Sequence, residues 1–188
     1  DRLFLAYGLS GGVAMAGMFA YIAGSPYVFI QLYGIPAEHY GWLFGSNAAG
    51  FIVMAQVNAR LLRYRGPAFW LRRIIWGYLV CGLALLGIAS LQPATLWPLL
   101  VPLFGCVASL GCIIPNASAC AMAGQGQHAG SASALMGSLQ FSVAAGASAL
   151  VGVLHDGTAI PMTLVIAVCG AVATLLAWQT GRLERQAA

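Results

Sequence analysis

The sequence predicts an all-α membrane protein, a six-transmembrane-helix bundle forming one domain over residues 1–188. Three observations carry this expectation. First, 61% of the residues are hydrophobic and only 6% charged, with a mean hydropathy of +0.86, whereas a soluble domain carries about a quarter of its residues charged. Second, mainly apolar runs of about 20 residues or more, the length that crosses a hydrocarbon core, recur along the whole chain. Third, the arginines cluster in alternate connections between these runs, the pattern that sets orientation in a bilayer.

The first span covers about residues 3–33. Gly8, Gly12, Ala16, Ala20 and Gly24 place a small residue at every fourth position, a smooth helix face on which a neighbouring backbone can approach closely. Gly24 and Pro26 then predict a helix kink, because proline removes a hydrogen bond and crowds the preceding turn. A short turn containing Glu38 and His39 leads into the second span, about 41–62, which holds Ser46, Asn47, Gln56 and Asn58. Arg60, Arg63, Arg65, Arg72 and Arg73 follow, five of the eight basic residues in a chain without lysine. The third span, about 69–90, is nearly free of polar groups. An uncharged turn at 91–95 precedes the fourth, about 96–117, where Pro115 marks a second kink. The connection 118–129 carries no charge. The fifth span, about 130–154, is built mostly of Gly, Ala, Ser, Leu and Val, with Gly130, Ser133 and Gly137 as expected helix-packing positions. The turn 155–158 leads to the sixth, about 160–178, and a tail at 179–188 carrying Arg182 and Arg185.

Sorting these connections by side puts Arg2, the arginine loop and the tail on one face. Glu38 and Asp156 lie on the other, with no arginine. The asymmetry predicts a multi-pass protein of the plasma membrane with both termini cytoplasmic. The chain begins at Asp1 inside an apolar run, without a signal-peptide pattern, and reads as part of something longer.

Composition excludes several function classes. The arginines sit at topological positions rather than on a stripe with stacking aromatics, so nucleic acid is not an expected partner. Five cysteines without a Cys-x-x-Cys pair fit neither a metal site nor a disulfide framework. His39, His128 and His155 fall at loops or span ends, and no nucleophile–base arrangement points to an enzyme; no cofactor or metal is expected. No charge lies in the middle of a span, where an acid would be the default proton-relay residue. What remains is uncharged polarity at membrane depth: Tyr21, Gln31, Asn47, Gln56, Asn116, Ser133 and Gln140, with Ser133 a residue that glues helices through backbone carbonyls. Polar groups at that depth face either the bundle interior or a wet cavity, and both readings stay open for Asn47 and Gln140.

Three blocks then carry a resemblance. Residues 18–28 (MFAYIAGSPYV), Asn58-Ala59-Arg60-Leu61 with the following Arg-Gly, and residues 130–140 (GSASALMGSLQ) resemble the bicyclomycin/chloramphenicol-resistance branch of the major facilitator superfamily. The match covers essentially the whole chain and corresponds to the second half, helices seven to twelve, of a twelve-helix transporter. The resemblance implies multidrug efflux: proton-driven export of small amphipathic drugs by alternating access between two six-helix halves. Its implied partners are the lipid bilayer, a small-molecule drug, protons and an N-terminal half that carries the coupling acids. It implies that Tyr21 and Ser25 line the central cavity from one helix, Asn47 from the next and Gln140 from the fifth. The arginine loop occupies the place of a superfamily loop motif but has Arg63 at the acidic position. Readings from other classes are a stand-alone six-helix protein, either a self-pairing channel or a non-transporting subunit, and an importer of a small metabolite.

Overall fold

The computed structural model describes residues 2–187; the side chain of Arg185, one of the tail arginines above, lies outside that description. The chain is helical throughout, with no strand among the described residues. Helix α1 (Arg2–Pro26) continues as a π-helical segment (Tyr27–Leu32), followed by α2 (Ala37–Leu61), α3 (Pro67–Ser90), α4 (Trp97–Met122), a single 3-10 turn (Gly126–His128), α5 (Ala129–Val153) and α6 (Ile160–Ala187). Among the described residues, α1 with its π segment, α3, α4, α5 and α6 are long and apolar enough to cross a membrane. With 25 residues, α2 rises about 37 Å, enough to span, but its polar side chains set it apart from the other five. Two of these, Asn47 and Asn58, are turned inward and buried.

Several expectations are corrected. Pro26 does not end the first helix, which passes at this residue into π geometry over the next six residues, a local irregularity of the kind found at helix bends. Pro115 likewise sits inside α4, which runs on to Met122 instead of ending near residue 117. The sixth helix does not stop near residue 178. It continues through the tail, where the Arg182 guanidinium lies 3.7 Å from the Trp178 ring centroid and Glu184 finds partners on α1 and α3.

The packing has an internal symmetry. Helix α1 packs on α4, α5 and α6; α4 packs on α1, α2 and α3; and α3 packs on α6. Exchanging α1 with α4, α2 with α5 and α3 with α6 reproduces the same set of neighbours. Since α1 and α4 run in opposite directions in an up-and-down bundle, the chain is built as two inverted three-helix repeats. The core thus lies among α1, α3, α4 and α6, where Phe29, Leu71, Ile75, Tyr78, Leu85, Leu103, Ile113 and Ile166 are essentially inaccessible. Helices α2 and α5 each lean on one principal neighbour and leave most of their surface open.

Both outlying helices are held where glycine permits backbone contact. A Cβ at Gly12 of α1 would stand 3.3 Å from the Gln140 Cα of α5. At the corresponding place in the other repeat, a Cβ at Gly111 of α4 would overlap the Phe51 carbonyl oxygen of α2 and stand 3.0 Å from the Ala55 nitrogen.

Candidate functional site

A cleft of about 240 Å³ opens between α1, α2 and α4. Met18, Tyr21 and Ile22 of α1 form one wall, Phe44, Ala48, Phe51 and Ile52 of α2 the other, and Val107 of α4 contributes to the lining. The Tyr21 and Phe44 rings stack with centroids 5.6 Å apart and planes 14° apart. They belong to a larger aromatic group: Phe29 lies 6.4 Å from Tyr21 and 5.9 Å from Tyr40, and Tyr40 lies 5.9 Å from Phe44. The π segment supplies Phe29 and the first turns of α2 supply Tyr40 and Phe44, four residues apart and therefore on one helix face.

The polar atoms of this region are uncharged and buried. The Asn47 Nδ2 donates to the Tyr21 hydroxyl at 3.2 Å and to the Leu43 carbonyl at 3.2 Å. Its Oδ1 is buried without a hydrogen-bond partner. Ser25, fully buried, shares a hydrogen bond of 2.9 Å with the Tyr40 hydroxyl. Three of the four residues expected at the cavity, Tyr21, Ser25 and Asn47, therefore belong to one aromatic and amide cluster that joins α1 to α2. Gln140 does not belong to it. Its side chain packs against Gly11 and Gly12, about two and a half turns from Tyr21 along α1, and its Nε2 is buried without a partner.

Below the cleft, a second amide pair ties α2 to α4. The Asn58 Nδ2 donates to the Asn116 Oδ1 at 3.1 Å and the Asn116 Nδ2 returns a bond to the Asn58 Oδ1 at 2.8 Å. Each amide satisfies the other, so polarity inside an apolar bundle becomes a reciprocal clasp.

The small residues of the two halves behave differently. In α1, Gly8 lies against Met136, Gly12 against Gln140 and Gly24 against Met162. In α5, a Cβ at Gly130 or Gly137 would meet nothing within 4 Å, and Ser133 is exposed with its hydroxyl bonded to the Gly130 carbonyl one turn back. These three positions do not pack a helix within this chain. The buried face of α5 is instead Ala132, Gln140, Ala144, Ala147 and Val151; the outward rotation leaves the small-residue stripe as an open surface.

Of the topology-setting arginines, Arg60, Arg63, Arg65 and Arg73 are exposed, while Arg72 reaches across the bundle. It forms an ion pair with Glu184 of α6 and donates to the Tyr7 hydroxyl of α1 at 3.2 Å, and that hydroxyl in turn donates to Glu184. This contact brings both ends of the chain and the arginine loop to the same end of the bundle. In the sequence Glu184 lies in the tail 179–188, beyond the expected end of the sixth span. The signal that could have found it is its position opposite Arg72 once α6 is extended by two turns.

The matches to known proteins cover nearly all of this architecture. The chain is 30% identical over 175 residues, 93% of its length, to the protein named "Uncharacterized MFS-type transporter YdgK" of Bacillus subtilis. It is 28% identical over 171 residues to the "Bicyclomycin resistance protein homolog" of Haemophilus influenzae. It spans 43% of the length of each. No family model matches, and no solved structure matches. This multi-pass helical bundle of inverted three-helix repeats is thus similar along nearly its whole length to two MFS-type transporters, and corresponds to the C-terminal half of each.

Proposed function

We propose that this chain forms one half of a multidrug efflux transporter, an antiporter that exchanges protons for small amphipathic compounds across the bacterial inner membrane, with both chain ends cytoplasmic. The observation that carries the reading is the Tyr21–Phe44 stack, which walls an apolar cleft while an uncharged amide, Asn47, stands behind it. Such a surface takes a flat apolar body by stacking and van der Waals contact and has no fixed charge to demand a charged group. The bicyclomycin-resistance name of the Haemophilus relative is in keeping with this substrate class. The second six-helix half would cover the open faces of α2 and α5, where Ile52, Val53, Leu135 and Phe141 are 50–61% exposed, and would supply the membrane-embedded acid that proton exchange needs.

The test is drug export by the full-length transporter carrying Tyr21→Ala. Expected is loss of export at unchanged membrane abundance, with Tyr21→Phe retaining most of it because stacking survives. Normal export by Tyr21→Ala would sink the assignment of the cleft.

A further inference from the structure

At the end of the bundle that holds the arginine loop, a separate cleft of about 340 Å³ lies between α3 and α6. Three features meet at its lining and rim. Two tryptophans, Trp76 and Trp178, stand at it half exposed, 56% and 50%. Arg72 enters from α3 with its Nε buried and without a hydrogen-bond partner. Arg182 is pinned at the rim by its stacking on Trp178. Above it, outward-facing apolar residues continue along both helices: Val80 and Leu83 on α3, Val168 and Leu175 on α6, all more than half exposed. Trp76, Val80 and Leu83 follow at intervals of four and three, and Val168, Leu175 and Trp178 at seven and three, so each set shares one face.

We propose that this groove is a binding site for an anionic diacyl phospholipid. The acyl chains would lie along the apolar stripes of α3 and α6, the tryptophans would sit at the carbonyl level of the interface, and the headgroup phosphate would lie between Arg72 and Arg182. The ligand class follows from charge. Glu184 uses only part of the Arg72 donor set, since a guanidinium has five N–H groups, and Arg182 forms no salt bridge among the described residues. The groove therefore keeps a net positive rim next to a lipid-sized apolar surface, the arrangement that selects acidic headgroups. A zwitterionic lipid would bring its own cation against the same arginines. The site rests on the cytoplasmic orientation proposed above but not on the drug cleft, which lies between other helices.

Native mass spectrometry of the full-length protein in micelles containing equal phosphatidylglycerol and phosphatidylethanolamine tests it. Expected is retention of phosphatidylglycerol over phosphatidylethanolamine by about fivefold, the discrimination that one arginine near a membrane surface provides. The preference should fall to parity in Arg182→Gln and in Trp178→Leu. Both positions are exposed, so these variants keep the fold that Arg72→Gln could disturb. Parity in the unaltered protein, or an unchanged preference in both variants, overturns the proposal. So does a thermal stabilisation by glycerol phosphate equal to that by phosphatidylglycerol, which would make the groove an anion site without lipid. Labelling of Tyr64→Cys by an impermeant maleimide on intact cells would put the arginine end outside and overturn it too. Normal export by Tyr21→Ala would leave it standing.

Discussion

The two inverted repeats solve the same packing problem with different chemistry. In each, the middle helix stands outside the core and must be held by one or two neighbours. Helix α2 is held by polar clasps, Asn47 to Tyr21 and the reciprocal Asn58–Asn116 pair. Helix α5 is held by close-packed small residues, Gly12 and Ala132, Ala144 and Ala147, with Gln140 buried but making no bond through its Nε2. In an apolar solvent no hydrophobic force draws helices together, so contact distance and hydrogen bonding decide. The first repeat adds paired amides to contact distance; in the second the Ser148 hydroxyl of α5 donates to the Phe19 carbonyl of α1 at 3.3 Å, one neutral hydrogen bond beside the small-residue contacts.

The largest expected effect separates the two glycines at which the outlying helices touch. Gly111→Ala drives a methyl into the Phe51 carbonyl, which is backbone and cannot rotate away. Overpacking of this kind costs about 1–3 kcal/mol, and α2 would have to move bodily. At Gly12 the nearest atoms are the Gln140 Cγ at 3.0 Å and its Cα at 3.3 Å, contacts that a shift of a few tenths of an ångström relieves. Thermal unfolding of the full-length protein in detergent should therefore rank Gly111→Ala clearly below Gly12→Ala. Equal losses would mean that the two repeats tolerate separation alike.

A smaller effect tests the clasp itself. Asn116→Leu leaves the buried Asn58 amide without a partner, at a cost of about 1–3 kcal/mol. The double replacement Asn58→Leu with Asn116→Leu removes both amides and should recover much of that loss, a coupling that a double-mutant cycle reads directly. Gln140→Leu on α5 is the control. Its Nε2 has no partner to lose, so stability should hold or rise. A marked loss there would show that Gln140 bonds something in the assembled transporter.

How much of this was visible in the sequence follows from the same contrast. Tyr21 and Asn47 could be found because a polar group in an apolar run is conspicuous, Ser25 came only from the family resemblance, and hydrogen bonds join Asn47 to Tyr21 and Ser25 to Tyr40. Gln140 stood out for the same reason, yet which face of α5 turns inward depends on α1, and periodicity in a helix made of Gly, Ala and Ser carries almost no direction. Gly130, Ser133 and Gly137 therefore look like packing positions in the sequence, whereas they lie on an open face. The aromatic cluster went unread because Phe29, Tyr40 and Phe44 look like ordinary span residues until the π segment aligns them. The helical tail went unread because the ion pair that anchors it, Arg72 with Glu184, joins residues 112 positions apart.

The smallest effect compares the repeats' second connections, 62–66 and 154–159, which lie at opposite ends of the bundle. The first is basic. In the second, Asp156 accepts from the Thr158 hydroxyl at 2.6 Å and from the Thr158 N–H at 2.9 Å, and the Thr158 hydroxyl accepts from the Ile160 N–H at 3.1 Å, capping α6. The Thr158 side chain and then its backbone N–H hold the Asp156 pKa below the usual carboxylate value. A depressed pKa means that the ionised form favours the folded turn. Its contribution is complete above the unfolded value of about 3.9 and disappears as pH falls through the lower folded value. Hydrogen-exchange protection of the first turn of α6 should therefore hold at neutral pH and weaken in acid. Asp156→Asn should show the weakened level at every pH, because the amide keeps an acceptor oxygen but not the charge that strengthens these bonds. The 62–66 connection, with arginines and no acid, should stay flat over the same range. Parallel acid sensitivity at both connections would trace the effect to the bundle as a whole and not to this carboxylate.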